Sequence, residues 1–483
     1  MALVAGIDSS TQSTKVVVVD ADDGAIVAEG RAGHDVTGTD GARESDPDQW
    51  WDALGEALAA TGRAGEVAAV AVGAQQHGMV VLDDAGRPLR RAKLWNDTQS
   101  APQAEALTEQ FGGADWWAEQ VGLVPVASFT ATKWAWLREH EPDVADATAT
   151  LCLPHDFLNL RLAGVAVTDR GDASGTGWFS THADRYVDEV LDHLGLDRGQ
   201  LPEVHRDGHG GEVTSDAADA LGLTAGIPVG AGTGDNAAAA LGLGVAPGEP
   251  IVSLGTSGTA FCVTRTAVTD PSGTLAGFAD ATDAFLPLAA ALNCTLAVDR
   301  MATLLGLDRE EVADTTDVVA LPWFDGERTP NFPHARASLV GLTHRTTPEE
   351  VLWAAYLGAA WSLVVALERI QDLTGDLPAD APLTLVGGGA RGTAWRRALG
   401  VLTGRPLRLP AAEELVALGA AAQAAAQLSG ESPYAIAARW NATGGQQVPA
   451  VAVDEDARHR LATVTRALAE LNGSDAAWAD APA

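Results

Sequence analysis

The sequence predicts an α/β protein made of two similar halves, and three observations predict it. Near the start, apolar β-branched runs at 3–7 and 15–19 flank Asp8-Ser9-Ser10-Thr11-Gln12-Ser13-Thr14, a turn of small hydroxyl residues, which is a hairpin pattern. The same unit recurs far downstream, where runs at 251–254 and 260–263 bracket Gly255-Thr256-Ser257-Gly258-Thr259, as an ancient duplication would leave it. Helical patterns alternate with strand patterns throughout, the signature of a sheet covered by helices. A chain of 483 residues has room for about two to four domains. Clustered Pro and Gly at 244–250 mark the best boundary, giving domains at 1–245 and 246–472 and a small, acidic, frayed tail at 473–483.

The elements follow in order. Asp46 before Pro47 is an N-cap with proline at the first helical position, opening a helix that runs through Trp50, Trp51, Leu54 and Leu58. An apolar strand at 67–72 leads into Gln75-Gln76-His77-Gly78-Met79, and one at 228–233 leads into Gly234-Asp235-Asn236 and a helical run at 237–241. Residues 349–373 read as a helix containing 351–367, the longest uncharged run at 17 residues. That run lies at the low edge of a membrane span, yet Gly358, Ser362 and two tryptophans interrupt it and no basic cluster adjoins it, so a buried core helix is expected. A strand at 383–386 runs into Gly387-Gly388-Gly389-Ala390 and a helix through Trp395 and Leu399, and an alanine-heavy helix at 413–428 follows.

Charge narrows the function. With 31 basic and 65 acidic residues the formal net charge is −34, a field that repels phosphate backbones and anionic membrane faces, so neither nucleic acid nor membrane is an expected partner. Only three lysines occur, Lys15, Lys93 and Lys133. The three cysteines, Cys152, Cys262 and Cys294, have no paired or metal-ligand spacing, and the first residues lack a secretion signal, so the expectation is the reducing cytoplasm.

Four segments have the chemistry of a site, each beside a plainer reading. Asp8 stands at the mouth of a hydroxyl-rich turn whose backbone N–H groups suit phosphate oxygens, with Lys15 just beyond; alone it is equally an ordinary polar turn, and its recurrence at 255–259 favours phosphate. It is not a Walker loop, since the turn feeds a strand and not a helix. The triple glycine at 387–389 permits close approach of a nucleotide at a helix start, or simply tight packing. Asp235 is either a helix N-cap or a base for an attacking hydroxyl, and the two are compatible. Gln76 and His77 at a strand's C-terminal end offer donors and acceptors suited to vicinal hydroxyls, unless His77 is a satisfied loop histidine.

In combination these segments resemble the FGGY family of carbohydrate kinases over nearly the whole chain, and within it the branch acting on D-xylulose. Gly6-Ile7-Asp8 with its turn resembles the family's first phosphate motif, Ser253-Leu254-Gly255-Thr256-Ser257-Gly258 its second, and 387–391 its adenosine loop. Ser128-Phe129-Thr130-Ala131-Thr132-Lys133-Trp134-Ala135-Trp136-Leu137 resembles a family signature, as does Leu339-Val340-Gly341-Leu342 followed by the Glu350 helix. His77-Gly78, where glycerol-phosphorylating members place an Arg-Glu pair, together with Leu153-Pro154-His155-Asp156 and 168–176, is similar to the D-xylulose branch.

The resemblance implies an actin-like ATPase fold, two ribonuclease-H-like domains flanking a nucleotide cleft that takes ATP and Mg²⁺. By motif it implies Asp235 as the catalytic base, Asp8 acting on the phosphates, and both as Mg²⁺ ligands. Gln76, His77, Asp235 and Asn236 would hold the sugar, and Thr11, Gln12, Ser13, Lys15, Gly255, Thr256, Gly388, Gly389 and Ala390 would hold ATP. The implied reaction is transfer of the γ-phosphoryl group to D-xylulose, giving D-xylulose 5-phosphate in xylose catabolism, by a protein whose partners are a ketopentose and Mg-ATP and for which a homodimer is compatible. The rivals are a family kinase for ribulose, gluconate or a related polyol, and a non-catalytic sugar or nucleotide sensor. Two departures bear on substrate preference or local stability: Gln99 where members often carry Arg, and Leu357 where many carry Glu.

Overall fold

The computed structural model describes residues 2–206, 208–332 and 334–471, so the tail expected at 473–483 lies outside the described residues. The chain divides into two compact units, the first made of Met1–Val245, Gly277–Phe285 and Glu414–Ala442, the second of Ala246–Ala276, Leu286–Glu413 and the residues from Thr443. Two segments thus depart from a purely sequential division after residue 245.

The main sheet of the first unit is made of β1 (Leu3–Ser9), β2 (Ser13–Asp20), β3 (Ile26–Gly33), β4 (Val67–Ala74), β5 (His209–Glu212), β6 (Pro228–Gly230) and β7 (Thr233–Gly234). They lie in the order β5-β6-β4-β1-β2-β3, with β7 also paired to β4. The first hairpin forms as its pattern predicts: β1 and β2 are antiparallel with Asp8 opposite Lys15, and the Ser10 N–H closes the turn on the Ser13 carbonyl at 3.0 Å. Helix α1 (Pro47–Thr61) starts where Asp46 accepts a bond from the Asp48 N–H and stops at Gly62, in the left-handed conformation at φ 65°. It buries Trp50, Leu54 and Leu58 in the core of the unit.

The alanine-rich helix, Leu415–Ser429, belongs to this unit because small residues let it approach closely. A methyl added at Gly6 of β1 would lie 1.8 Å from the Ala417 carbonyl oxygen. Helix α2 (Asp235–Leu243) crosses the same helix with Gly242 against the Leu415 carbonyl and Gly419 against the Ala238 carbonyl, where added methyls would fall at 2.0 and 1.9 Å.

The second unit repeats the arrangement. Strands β8 (Pro250–Leu254) and β9 (Gly258–Cys262) form an antiparallel hairpin around the second hydroxyl turn. With β10 (Phe285–Ala291), β11 (Leu383–Val386), β12 (Leu407–Pro410) and β13 (Gly445–Val448), neighbours run β10-β9-β8-β11-β12-β13. Each hairpin's first strand has a parallel partner on its other side, β4 for β1 and β11 for β8, so the sequence repeat is also a repeat of pairing.

Helix α3 (Pro348–Thr374) begins with a reciprocal cap, Thr347 accepting from the Glu350 N–H and Glu350 from the Thr347 N–H, and ends at Gly375. It is long and apolar enough to cross a membrane by length and composition, but 94% of its apolar window is buried within the protein. Gly358, an interruption in the sequence pattern, marks its closest crossing: a methyl there would sit 1.7 Å from the Ala320 carbonyl. Leu357 is 4% exposed in the apolar core, a setting that accepts leucine without cost.

Gly6→Ala therefore forces the alanine helix away from β1, and we expect a loss of about 3 kcal/mol of stability, measured by chemical denaturation. Unchanged stability would show that the helix seats elsewhere.

Candidate active site

Three parallel strand ends gather the candidate residues of the first unit. Asp8 of β1 and Thr233 of β7 are both level with Gly73 of β4, and Gly234 is level with Ala74. Asp8, the Gln75–His77 loop and Asp235 therefore leave neighbouring C-terminal strand ends, where open α/β sheets collect ligands.

Asp8 is 6% exposed and accepts a bond from the Ser10 hydroxyl at 2.6 Å. Burial, only partly offset by Ser10 and Lys15, pushes its carboxyl up to about 6. Lys15, opposite Asp8 in the ladder, is ion-paired to Glu414 at 2.7 Å. Thr11 accepts from the Trp95 indole at 3.0 Å, Gln12 is exposed at the turn, and Ser13 is already part of β2.

Asp235 is the first residue of α2 and Gly234 occupies the N-cap, so the capping reading is corrected by one position. Its Oδ1 accepts from the Asn236 backbone N–H at 2.8 Å and from Asn236 Nδ2 at 2.9 Å. Asn236 Nδ2 also donates to Gln76 Oε1 at 2.9 Å, making a chain Asp235–Asn236–Gln76. Gly234 is bare because Gln76 lies over it, within 2.4 Å of where a methyl would stand. Desolvation, with Asp8 and Asp172 adding like charge, pushes the Asp235 carboxyl up to about 7, while the residue stays half-buried and open to a ligand.

His77 has a left-handed backbone, φ 63°, and its carbonyl accepts from Thr130 Oγ1 at 3.3 Å and Lys133 Nζ at 3.2 Å. Its ring stands edge-on to Phe129 with centroids 5.1 Å apart and tilted against Phe278 at 5.4 Å. Gln99 accepts from the buried Lys93 ammonium at 2.6 Å, so a cation is present in that cluster, paired with Asp97 and held over the Trp136 ring.

The other candidates lie in the second unit. Gly255 anchors its turn by accepting from the Thr295 hydroxyl at 2.7 Å, and Thr256 is exposed at the tip. In the glycine loop, Gly387 and Gly389 are bare because methyls there would strike Leu254, whereas Gly388 faces open space. The loop serves both readings: two glycines pack, one leaves its backbone accessible. A 3₁₀ turn, Gly388–Arg391, intervenes before helix α4 (Thr393–Thr403).

A buried network lies behind these residues, and no local spacing in the sequence joins its members. His155 donates through Nδ1 to the Asp172 carboxylate at 2.7 Å and pairs with Asp156 at 3.0 Å through Nε2. Asp169 accepts from the Gly171 and Asp172 N–H groups and from the Thr233 hydroxyl, the last at 2.7 Å, two residues before Asp235. Burial alone would pull the His155 pKa down, but Asp156, Asp172 and Asp169 outweigh it and raise it to about 9. Burial in turn pushes Asp156 up to about 7 and Asp169 up to about 6.

Residues 3–242 match the family model for the N-terminal domain of the FGGY family of carbohydrate kinases, and residues 251–428 the model for its C-terminal domain. The chain belongs to the FGGY family of carbohydrate kinases, with the actin-like ATPase fold and ATP as co-substrate of a sugar. A xylulose kinase of Streptomyces coelicolor is 56% identical over 478 residues, 98% of each chain, and one of Streptomyces rubiginosus is 56% identical over 463 residues, 96% of this chain and 95% of that one. Among solved structures, the xylulose kinase from Bifidobacterium adolescentis is similar with a TM-score of 0.85 and 37% identity, covering 96% of this chain and 99% of that one.

The His155 network carries a pH signature. A folded-state pKa of about 9 against an ordinary 6.5 means that the folded protein holds this proton more tightly than the unfolded chain. The resulting stabilisation is complete below pH 6.5 and is lost as pH rises through about 9. Denaturation midpoints should fall across that window in the wild-type protein and much less in His155→Gln; parallel pH profiles for the two would remove His155 as the cause.

Proposed function

We propose that the protein transfers the γ-phosphoryl group of ATP to the terminal C5 hydroxyl of D-xylulose, giving D-xylulose 5-phosphate and ADP. The hydrogen-bonded chain Asp235–Asn236–Gln76, leaving one carboxyl oxygen of Asp235 for an acceptor hydroxyl beside His77, carries this reading. The 56% identity to xylulose kinases over nearly the full length supports this acceptor among the sugars the family phosphorylates.

Asp235 acts as general base. With its carboxyl at about 7, a large fraction is ionised at neutral pH, and the group is basic enough to take the hydroxyl proton as oxygen attacks phosphorus. Asn236 holds Oδ1, which fixes the direction of Oδ2 toward the acceptor. Gln76 and His77 supply uncharged donors and acceptors for the sugar hydroxyls.

Taken unit by unit, the turn N–H groups and hydroxyls of Thr11, Gln12 and Ser13 in the first hairpin suit phosphate oxygens, and so does the exposed Thr256 beside Gly255 in the second. In the loop proposed for adenosine, Gly388 offers exposed backbone, while Gly389 and Ala390 are buried behind it. Lys15 is committed to Glu414, so in this arrangement it contributes positive potential opposite Asp8. Asp8 and Asp235 suit Mg²⁺, which commonly takes one or two carboxylates and completes its shell with phosphate and water. Both leave neighbouring strand ends of one sheet as hard oxygen donors, the chemistry such an ion prefers. When bound there, the ion would screen phosphate charge that the protein's own −34 otherwise repels.

An ADP-release assay across D-xylulose, D-ribulose, gluconate and glycerol tests the assignment. The highest kcat/KM should belong to D-xylulose; a clear preference for another sugar moves the substrate while leaving the kinase. Asp235→Asn should fold normally yet lose at least about 100-fold in kcat, and near-normal turnover would take Asp235 out of the chemistry. His77→Ala should raise the KM for D-xylulose roughly tenfold and leave the KM for ATP within about twofold, whereas a change confined to ATP would misplace the loop.

A further inference from the structure

The seat of His77 is built from three walls and a clamp. Two walls are the rings of Phe129 and Phe278. The third is the backbone of Gly175: a methyl there would lie 2.5 Å from both Cε1 and Nδ1 of the imidazole, a separation that packed carbon atoms do not reach. The clamp is on the main chain, where Thr130 and Lys133 hold the His77 carbonyl and keep the residue in its left-handed conformation.

Gly175 has no positive φ, so its own backbone conformation does not demand glycine. Space does. Nor is its segment free to retreat. The Gly175 N–H bonds the Asp172 carbonyl at 2.9 Å, and Ser174 and Thr176 each bond back into the same turn at 2.6 Å. Asp169 caps the turn's start. A side chain at position 175 would therefore displace the imidazole, not the turn.

We infer that Gly175 is a specificity-determining position acting through His77, its bare backbone setting where the imidazole meets the acceptor sugar. This rests on the proposed reading of His77 as a sugar contact. Gly175 touches neither substrate nor reacting atoms in this account; it is a positioning residue, and the residues 168–176 acquire a role in substrate recognition that their sequence alone does not reveal.

Steady-state kinetics of the full-length protein, varying D-xylulose and ATP, test it with Gly175→Ala, His77→Ala and the double variant. Gly175→Ala should raise the KM for D-xylulose about tenfold with the KM for ATP within about twofold, the size expected of overpacking at a confined site. Because both changes act on one ring, the double variant should be no worse than His77→Ala alone. An unchanged sugar KM in Gly175→Ala, or penalties that multiply in the double variant, overturns the inference. If His77→Ala itself leaves the sugar KM unchanged, the reading of the sugar site has failed and the inference falls with it, an outcome distinct from failure of Gly175 alone. Should Gly175→Ala not fold, recovery of the thermal midpoint in the double variant supports the ring as the point of conflict, and a double variant equally unstable overturns it.

Discussion

One helix fixes the distance between the two carboxylates on which the proposed chemistry turns. The alanine-rich helix Leu415–Ser429 lies on β1 through Gly6 and on α2 through Gly242 and Gly419, at separations that admit no side chain. Asp8 is at the end of β1 and Asp235 at the start of α2, so both are referred to the same rigid body. Backbone-to-backbone packing of this kind has little play, because no flexible side chain lies in the contact to absorb a shift. Precision at the site is thus inherited from small residues well behind it.

The second constraint is electrostatic. A protein of charge −34 that works on ATP must concentrate positive potential locally, and the described structure does so sparingly. Lys15 is paired with Glu414, Lys93 with Asp97, and Lys133 is spent on backbone carbonyls. Arg31 of β3 stands opposite Lys15 and adds positive charge near Asp8, while the turn N–H groups and hydroxyls bring no counter-charge to be desolvated. Behind the proposed sugar contacts, the balance runs the other way. His155 holds three buried carboxylates together, and one of them, Asp169, grips Thr233 at the strand end that delivers Asp235. A buried charge cluster of this type adds little net stability, but removing one member leaves the others uncompensated, which makes the arrangement all-or-none and so geometrically strict.

What the sequence disclosed was local. Hairpins, the Asp46 cap and the strand ends at Gln76 and Asp235 are written in short-range pattern, alternation, turn residues and capping residues, and the structure places them within a residue or two. Asp235 itself illustrates the margin: it was legible as a residue at a helix start, but whether it capped the helix or began it depended on Gly234, which is bare to make room for Gln76, 158 positions earlier in the chain. The meeting of His155 with Asp172 is not legible in the sequence, since nothing in spacing says that a helix start and a distant turn meet. Gly358 read as a flaw in an apolar run and is the point of closest packing.

Glycine is where this limit is sharpest, because one letter stands for unrelated physical demands. Gly62 is glycine for its left-handed φ, Gly6 for a helix passing over it, Gly175 for a side chain facing it. Only the first can be guessed from neighbours in sequence, since a helix end calls for it. The others are defined by atoms far along the chain, so their meaning appears only once the chain is folded. The turn at 168–176 joins two of these long-range demands: at one end Asp169 reaches Thr233, two residues before Asp235, at the other Gly175 shapes the seat of His77. A single anchored turn thereby bears on both the proposed base and the proposed sugar contact, and a displacement of that turn would disturb the two together.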